Sequence, residues 1–474
     1  MRAGDASERD SRGLWLALFG VLLAALGAIA WLGPLGGARG PVLGAWLVGQ
    51  AAWLVAFARA ARAPFGAKTV FVGALVLRLV ALASDARLSD DVYRYVWEGR
   101  MLADGRSPWA ASPDSPTFAV EQARDPELFE RINHREVSAA YPPLYLAANA
   151  GIASAAERLP SAWFESSLSR SVFAFRLAAT CADLAVVVAL LALCRRRGRP
   201  SAAAVAWAWS PLVALEFAGA AHMDALALAL WLGGLASLAA HASEPVRANA
   251  PGGRSNALVS GAHAILGWTA VGLAGALKFL PWVSAAFGAR ASGSLRPLAI
   301  AATVAAATLA IFACVDEGAR GVFGGLAEYS FRWETPNLVH RFVEGGFARV
   351  TAYDEGWSDP RRLARGVLLA AWLGWGAWLL ARRVEPVAAA GRMVGAFLVL
   401  TPTLHPWYAV WILPFLALEP RRSWAVLLAL LPLAYWPLAE WQAEGVWREP
   451  WWLWPALALP FFALRVREAR LARP

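Results

Sequence analysis

Charge is scarce in this sequence. Asp, Glu, Lys and Arg make up 16% of its 474 residues, against roughly a quarter in soluble domains, and that deficit excludes an ordinary water-soluble enzyme. Cysteine is scarcer still. Cys181, Cys194 and Cys314 lie in or at the ends of apolar runs; their odd number and irregular spacing exclude a disulfide framework and a thiolate metal site. There is no low-complexity linker and no internal repeat, so the paired inverted halves of a transporter are not visible.

What is present is apolar: 58% of the residues are hydrophobic, with 26 Trp, and the mean hydropathy is +0.46. About 20 apolar residues cross about 30 Å of hydrocarbon as a helix, and only helices or closed barrels satisfy the backbone in lipid. The apolar runs are continuous rather than alternating, which selects helices. The expected fold is an all-α polytopic membrane protein, residues 1–474 forming one integral membrane domain, a bundle of about 13–14 transmembrane helices. The expected spans are 14–33, 41–58, 68–84, 171–194, 201–220, 222–240, 258–276, 279–289, 297–315, 366–381, 387–403, 406–419, 423–438 and 450–465. The run Leu14–Trp31 is too long for a signal peptide and no clean cleavage site follows it, so it reads as a retained span.

A net charge of +10 raises nucleic acid as a partner, and the distribution rejects it. The basic residues sit in short clusters between apolar runs, the positive-inside pattern. With a cytoplasmic N-terminus, the inner loops hold Arg59, Arg62 and Lys68; Arg195–Arg197 and Arg199; Arg247 and Arg254; Arg290 and Arg296; Arg382, Arg383 and Arg392; Arg421 and Arg422; the C-terminal tail, also inside, holds Arg465, Arg467, Arg470 and Arg473. Parity and charge agree if 279–289 crosses and 141–158 does not. The latter then lies in the outer interface, with Pro142 and Pro143 at the entry to a short helix. Two long outer loops follow, 85–170 and 316–365.

Four polar constellations fall on that outer side. In Ser89-Asp90-Asp91-Val92-Tyr93-Arg94-Tyr95-Val96-Trp97-Glu98, two adjacent acids stand at the mouth of a span, a costly placement. Ser89 or Asp90 can cap a helix reaching about Met101, and the helix dipole keeps a carboxylate there ionised. Such an acid can accept a proton from a sugar hydroxyl; the bland reading is a capping pair. Arg94 and Glu98, one turn apart, pair on one face, or Arg94 reaches a phosphate. His222 and Asp224 stand inside an apolar run, where they hold a sugar or phosphate, contribute to a metal site, or satisfy each other in a polar turn. Lys278 either snorkels or meets a lipid-linked phosphate. In His405-Pro406-Trp407-Tyr408, the aromatics fit an interfacial belt, while a neutral His405 can hydrogen-bond a phosphate or hydroxyl.

Together with Gly105-Arg106-Ser107-Pro108-Trp109, Tyr141-Pro142-Pro143-Leu144, Glu216-Phe217 and Lys278-Phe279-Leu280-Pro281, these pieces resemble the GT-C-fold glycosyltransferases that use polyprenyl-phosphate sugars. The likeness is strongest to the bacterial polyprenol-phosphate-mannose-dependent mannosyltransferases, over about residues 65–420. The first mannosyltransferase of GPI-anchor synthesis shares a similar acidic loop. The resemblance implies a hexosyltransferase, expected to move mannose, in a bacterial inner membrane with both termini cytoplasmic and the active site on the outer face. It implies an acid of the first outer loop as general base, matching Asp91 with Asp90 as alternate, and interfacial helices in that loop. Many relatives carry Asn where this chain has Met223. The expected substrate and phosphate contacts are Arg94, Glu98, His222, Asp224, Lys278, His405 and Tyr408. The donor is a polyprenyl-phosphate sugar and the acceptor a lipid, glycan or protein; no cofactor is required, and a divalent metal is left open. The rival reading is a lipid-linked sugar transporter or flippase.

Overall fold

The computed structural model describes residues 3–84, 88–243, 253–335, 337–354 and 356–471, with side chains left out at 3–11, 240–243 and 253–260. Arg247 and Arg473 lie outside the described residues, as does the side chain of Arg254. The described chain is helix and turn, with no strand among the described residues. That is the outcome backbone satisfaction in lipid demands.

Among the described residues, six helices are long and apolar enough to cross a membrane: Arg12–Leu32, Arg39–Arg62, Ser167–Arg196, Arg296–Cys314, Pro360–Ala381 and Arg422–Glu444. A seventh candidate is broken into Ser201–Ala208 and Pro211–Gly219, bent by 54° at Ser210-Pro211, where the missing N–H of proline interrupts the ladder. Asp224–Ala239, Gly261–Leu277, Pro386–Leu400 and Pro406–Leu418 are shorter apolar helices. Only 17% of the apolar window of Arg296–Cys314 and 22% of that of Pro360–Ala381 is covered by protein, an apolar surface suited to lipid rather than water.

The short forms explain where the expected count of 13–14 differs. The segment expected as a crossing at 279–289 is a tight turn, Leu280–Trp282, followed by Val283–Ser292. A ten-residue helix rises only about 15 Å, so a crossing there needs its neighbours. Pro281 ends the preceding helix and sets this break.

The two long loops fold against each other. Asp91–Ala103 packs on Pro143–Ala156. At their contact a Cβ on Gly99 would lie 2.6 Å from the Asn149 carbonyl oxygen, so only glycine lets the two helices approach this closely. The second loop lies on the first in the same way. A Cβ on Gly325 would come 2.2 Å from the Ser138 carbonyl oxygen. The Asp316 amide donates to the Gly105 carbonyl at 2.8 Å, and Arg106 pairs with Asp316 and Glu121 at 3.3 Å each. The Gly105–Trp109 run is therefore a docking platform for the second loop.

One ion pair is sealed within the bundle. Arg78 Nε donates to Asp183 Oδ2 at 2.7 Å and Nη2 to Oδ1 at 3.1 Å, while Trp207 Nε1 donates to Oδ1 at 2.7 Å. Arg78 also donates to the carbonyls of Trp207 and Ala208, and both charged side chains are fully buried. The pair ties Ala67–Leu82 to Ser167–Arg196 and to the broken span. Removing one partner strands a charge in a medium that cannot solvate it. Asp183→Asn is therefore expected to cost about 3–5 kcal/mol, and the double replacement Arg78→Leu with Asp183→Leu less than either single change. Thermal unfolding of the purified variants in detergent reads the difference.

Candidate active site

The site begins at Asp91, the first residue of Asp91–Ala103. Its amide donates to Ser89 Oγ at 3.2 Å, so Ser89 shields the helix start and the Asp90 carboxylate does not cap it. Instead, Asn133 Nδ2 donates to both acids, to Asp90 Oδ1 at 2.6 Å and Asp91 Oδ1 at 2.7 Å. The other oxygen of Asp91 lies 3.6 Å from His222 Nε2. His222 Nδ1 faces two acceptors of Glu216, its carbonyl at 3.1 Å and its carboxylate Oε2 at 3.2 Å. Tyr435 donates to Glu216 Oε1 at 2.7 Å. Asp91, His222, Glu216 and Tyr435 thus form one polar line running from the loop into the bundle.

The neighbouring acids are held differently. Burial by itself would raise the Asp91 carboxyl, but the His222 contact, the charge on that ring and the Asn133 amide outweigh it and hold Asp91 well below the ordinary carboxylate range. Asp90 is raised from its ordinary value, first by burial and then by the charge on Asp91, against the lowering bond from Asn133. Divergent environments for adjacent acids separate their roles, and Asp91 is the one held low.

The backbone at His222 is unusual. Leu215–Gly219 forms a π-helical turn, and Ala221, a residue with a Cβ, has φ +63°. Such conformations cost about 1–3 kcal/mol and persist where surrounding contacts impose them. Here they turn the fully buried His222 ring toward Asp91.

Lys278, one of only two lysines in the chain, follows Gly253–Leu277 directly. Its Nζ lies 3.4 Å from Asp224 Oδ1, which also accepts from Trp411 Nε1 at 3.0 Å. The ammonium stands over the rings of Tyr141, Tyr408 and Tyr145 at 4.7, 5.3 and 5.5 Å, a cage in which ring quadrupoles favour the cation. His405 stacks on Trp407 at 4.1 Å, and the same indole stacks on His222 at 4.2 Å. Tyr408 and Tyr329 share a hydroxyl contact of 2.9 Å, which brings the second loop to the site.

Contacts therefore link Asp90, Asp91, His222, Asp224, Lys278, His405 and Tyr408 into one neighbourhood. Arg94 and Glu98 face another way. Arg94 Nε donates to Glu98 Oε1 at 3.0 Å, and its Nη atoms donate to the carbonyls of Asn133 (3.3 Å), His134 (2.9 Å), Val137 (2.5 Å) and Ser138 (2.9 Å). A guanidinium has five N–H donors, and these contacts engage the whole fork. Of the two readings of Arg94, the contacts carry the ion pair with Glu98, and the substrate or phosphate contact has no donor left to make it: the pair organises the loop that presents Asn133. His134, at φ +45°, is part of what it holds.

Glu216, Asn133, Trp407, Trp411, Tyr329 and Tyr435 were not anticipated as site residues. Glu216 had a signal, since a carboxylate six residues before His222 in an apolar run is as costly as His222 itself. Trp407, which fits an interfacial belt from sequence, is the plate between two histidines. Among the described residues, the three-residue group with metal-ligand geometry is Glu334, His340 and Glu344 of the second loop, and none of these belongs to this neighbourhood's contacts.

Residues 24–294, more than half of the chain, match the model of a family described as the N-terminal domain of α-(1→6)-mannopyranosyltransferases. The chain belongs to this family. The matched region contains Asp90, Asp91, His222, Asp224 and Lys278, whereas His405 and Tyr408 lie beyond it. A probable α-(1→6)-mannopyranosyltransferase of Mycolicibacterium smegmatis is 26% identical over 366 residues, covering 71% of this chain and 62% of the relative. An α-(1→6)-mannopyranosyltransferase of Mycobacterium tuberculosis is 25% identical over 399 residues, covering 73% of this chain and 64% of the relative. The chain thus spans somewhat under two thirds of the length of these mannopyranosyltransferase relatives. No solved structure matches it at a significant level.

Because Arg94 holds four carbonyls of the Asn133–Ser138 turn, Arg94→Ala is expected to free that turn while leaving the bundle folded. Removing the cation also strands buried Glu98, a loss on the order of 3 kcal/mol. Limited proteolysis should show cleavage within residues 125–138 at a rate raised by roughly a hundredfold, with Arg94→Lys intermediate.

Proposed function

We propose that the chain is an inverting glycosyltransferase that moves a mannosyl unit from a polyprenyl-phosphate sugar to an acceptor hydroxyl on the outer face of the membrane. The observation that carries the reading is the arrangement of Asp91, held ionised against His222, in the same neighbourhood as caged Lys278. A base and a cation in one neighbourhood suit a displacement at a carbon bearing a phosphate leaving group. The relatives' names specify an α-(1→6) linkage, which makes the acceptor group the primary 6-hydroxyl of a hexose; a single inversion then requires a β-linked donor.

In this reading the acceptor oxygen attacks C1 as the C1–O bond to phosphate breaks, its electron pair leaving on the phosphate. The acceptor proton passes to Asp91. A carboxylate held low is a weak base toward a resting hydroxyl, so it takes the proton late, once bond formation has made that hydroxyl acidic. His222 and Asn133 orient it. Lys278 meets the charge that grows on the departing phosphate, a contribution of about 3–4 kcal/mol for a well-placed donor. Phosphate leaves without acid help, so no second carboxylate of the glycosidase kind is needed. A flippase would call for broken helices in matching positions of two halves, whereas one broken pair occurs among the described residues.

Asp91→Asn is expected to lower transfer from labelled polyprenyl-phosphate mannose at least about a hundredfold with unfolding little changed, and Asp90→Asn to retain most activity. Wild-type rates in both variants would end the assignment. His222→Asn tests the electrostatics. Without the ring that lowers it, the Asp91 carboxyl rises and protonates at higher pH, so the acid limb of kcat/KM should move upward. An unmoved limb would remove His222 from the account.

A further inference from the structure

The second loop carries a group of side chains that the proposed transfer does not use. Glu334 lies between the helices Gly324–Arg332 and His340–Phe347, and His340 and Glu344 stand one turn apart on the latter. One ligand atom from each of the three lies within 4.8 Å of the others. His340 is fully buried, and neither of its ring nitrogens has a hydrogen-bond partner among the described residues. The nearest acceptor to Nδ1 is Glu344 Oε2 at 3.6 Å, past hydrogen-bonding distance. A buried imidazole with both nitrogens orphaned is rare in a folded protein and points to a bound water or ion.

We propose that Glu334, His340 and Glu344 form a binding site for a divalent transition-metal ion. One imidazole and two carboxylates suit Zn2+ or Mn2+; Mg2+ and Ca2+ prefer all-oxygen sets. Three protein ligands leave a position for water, as in open zinc sites. Two further groups tune the site. Tyr353 donates to Glu344 Oε1 at 2.9 Å, leaving Oε2 toward His340. Arg365, from Pro360–Ala381, lies 2.7 Å from Glu334 Oε1 and competes with the ion for that carboxylate.

The site ties the helix His340–Phe347 to the segment after Gly324–Arg332, in the loop that brings Tyr329 to Tyr408 and Trp333 to within 4.5 Å of the His134 ring. A bound ion would fasten this loop over the active-site neighbourhood without touching the reacting atoms. Its role is positioning.

The test uses the full-length protein in lipid nanodiscs, stripped with chelator, re-equilibrated with excess Zn2+ and freed of unbound metal. Elemental analysis should find about one Zn2+ per chain, falling below about a tenth in His340→Asn and in Glu344→Gln. Asp91→Asn should retain the metal, which distinguishes this site from the acids of the first loop. Zn2+ should also raise the Tm of the wild-type protein and protect residues 316–365 from protease, with Mg2+ doing neither. Arg365→Gln, which removes the competitor, should bind Zn2+ several-fold more tightly. Unstoichiometric Zn2+ in the wild-type protein, or full occupancy in either His340→Asn or Glu344→Gln, overturns the proposal. If one of those variants does not fold, the other and Arg365→Gln decide, and unchanged or weaker binding in Arg365→Gln counts against the site.

Discussion

The guanidinium of Arg94 is the interaction on which the site's geometry rests. It is buried, paired to Glu98 within its own helix and bonded to four carbonyls across a turn some forty residues away. A cation removed from water must find acceptors for all its donors, and the backbone of Asn133–Ser138 supplies them. The turn has little freedom once those bonds form. Asn133 is then fixed between Asp90 and Asp91, and Ser138 offers the carbonyl surface on which Gly325 of the second loop packs. One desolvated cation thereby sets both the acids and the loop above them.

The same constraint operates deeper in the bundle. Arg78 and Asp183 are fully buried and satisfied by each other, by Trp207 and by two carbonyls. Asp224 is bonded to Trp411 and lies beside Lys278; Glu216 accepts from Tyr435 and lies beside His222. In an apolar medium each charge costs several kcal/mol unless paired, so every one of them recruits a partner from a distant helix. The partners make the bundle specific. They also leave the site charged where water is scarce, which strengthens each electrostatic contact within it.

Much of the fold was legible in the sequence because its cause is local. Continuous apolar runs require helices in lipid, and the described chain is helical. The helix entry at Pro143 follows from a missing N–H; the break at Pro211, inside the stretch expected as one span over 201–220, appears only in the structure. The grouping of Asp91, His222, Lys278 and His405 was legible for a related reason: polar residues in apolar surroundings are expensive, and the distribution of arginines put all four on the same side of the expected spans. Arg94 misled because its spacing to Glu98 predicts the ion pair but says nothing of the four carbonyls that complete its donor set. Trp407 misled because an aromatic at the start of a span fits a lipid belt equally well until two histidines are seen against its faces.

By itself the sequence determined the class of molecule and the positions where charge is costly, since hydropathy and desolvation depend on residue type and run length. Tertiary structure alone decided how those costs are met. The Asp91 carboxyl is held below that of Asp90 because His222, 131 positions along the chain from Asp91, lies 3.6 Å from it. Glu216 enters the site because Tyr435 and His222 close around it, and Glu334 lies beside His340 because the second loop folds the two together. A contact of three or four ångströms between residues far apart in the chain is fixed by packing, and packing is the sum over all helices at once.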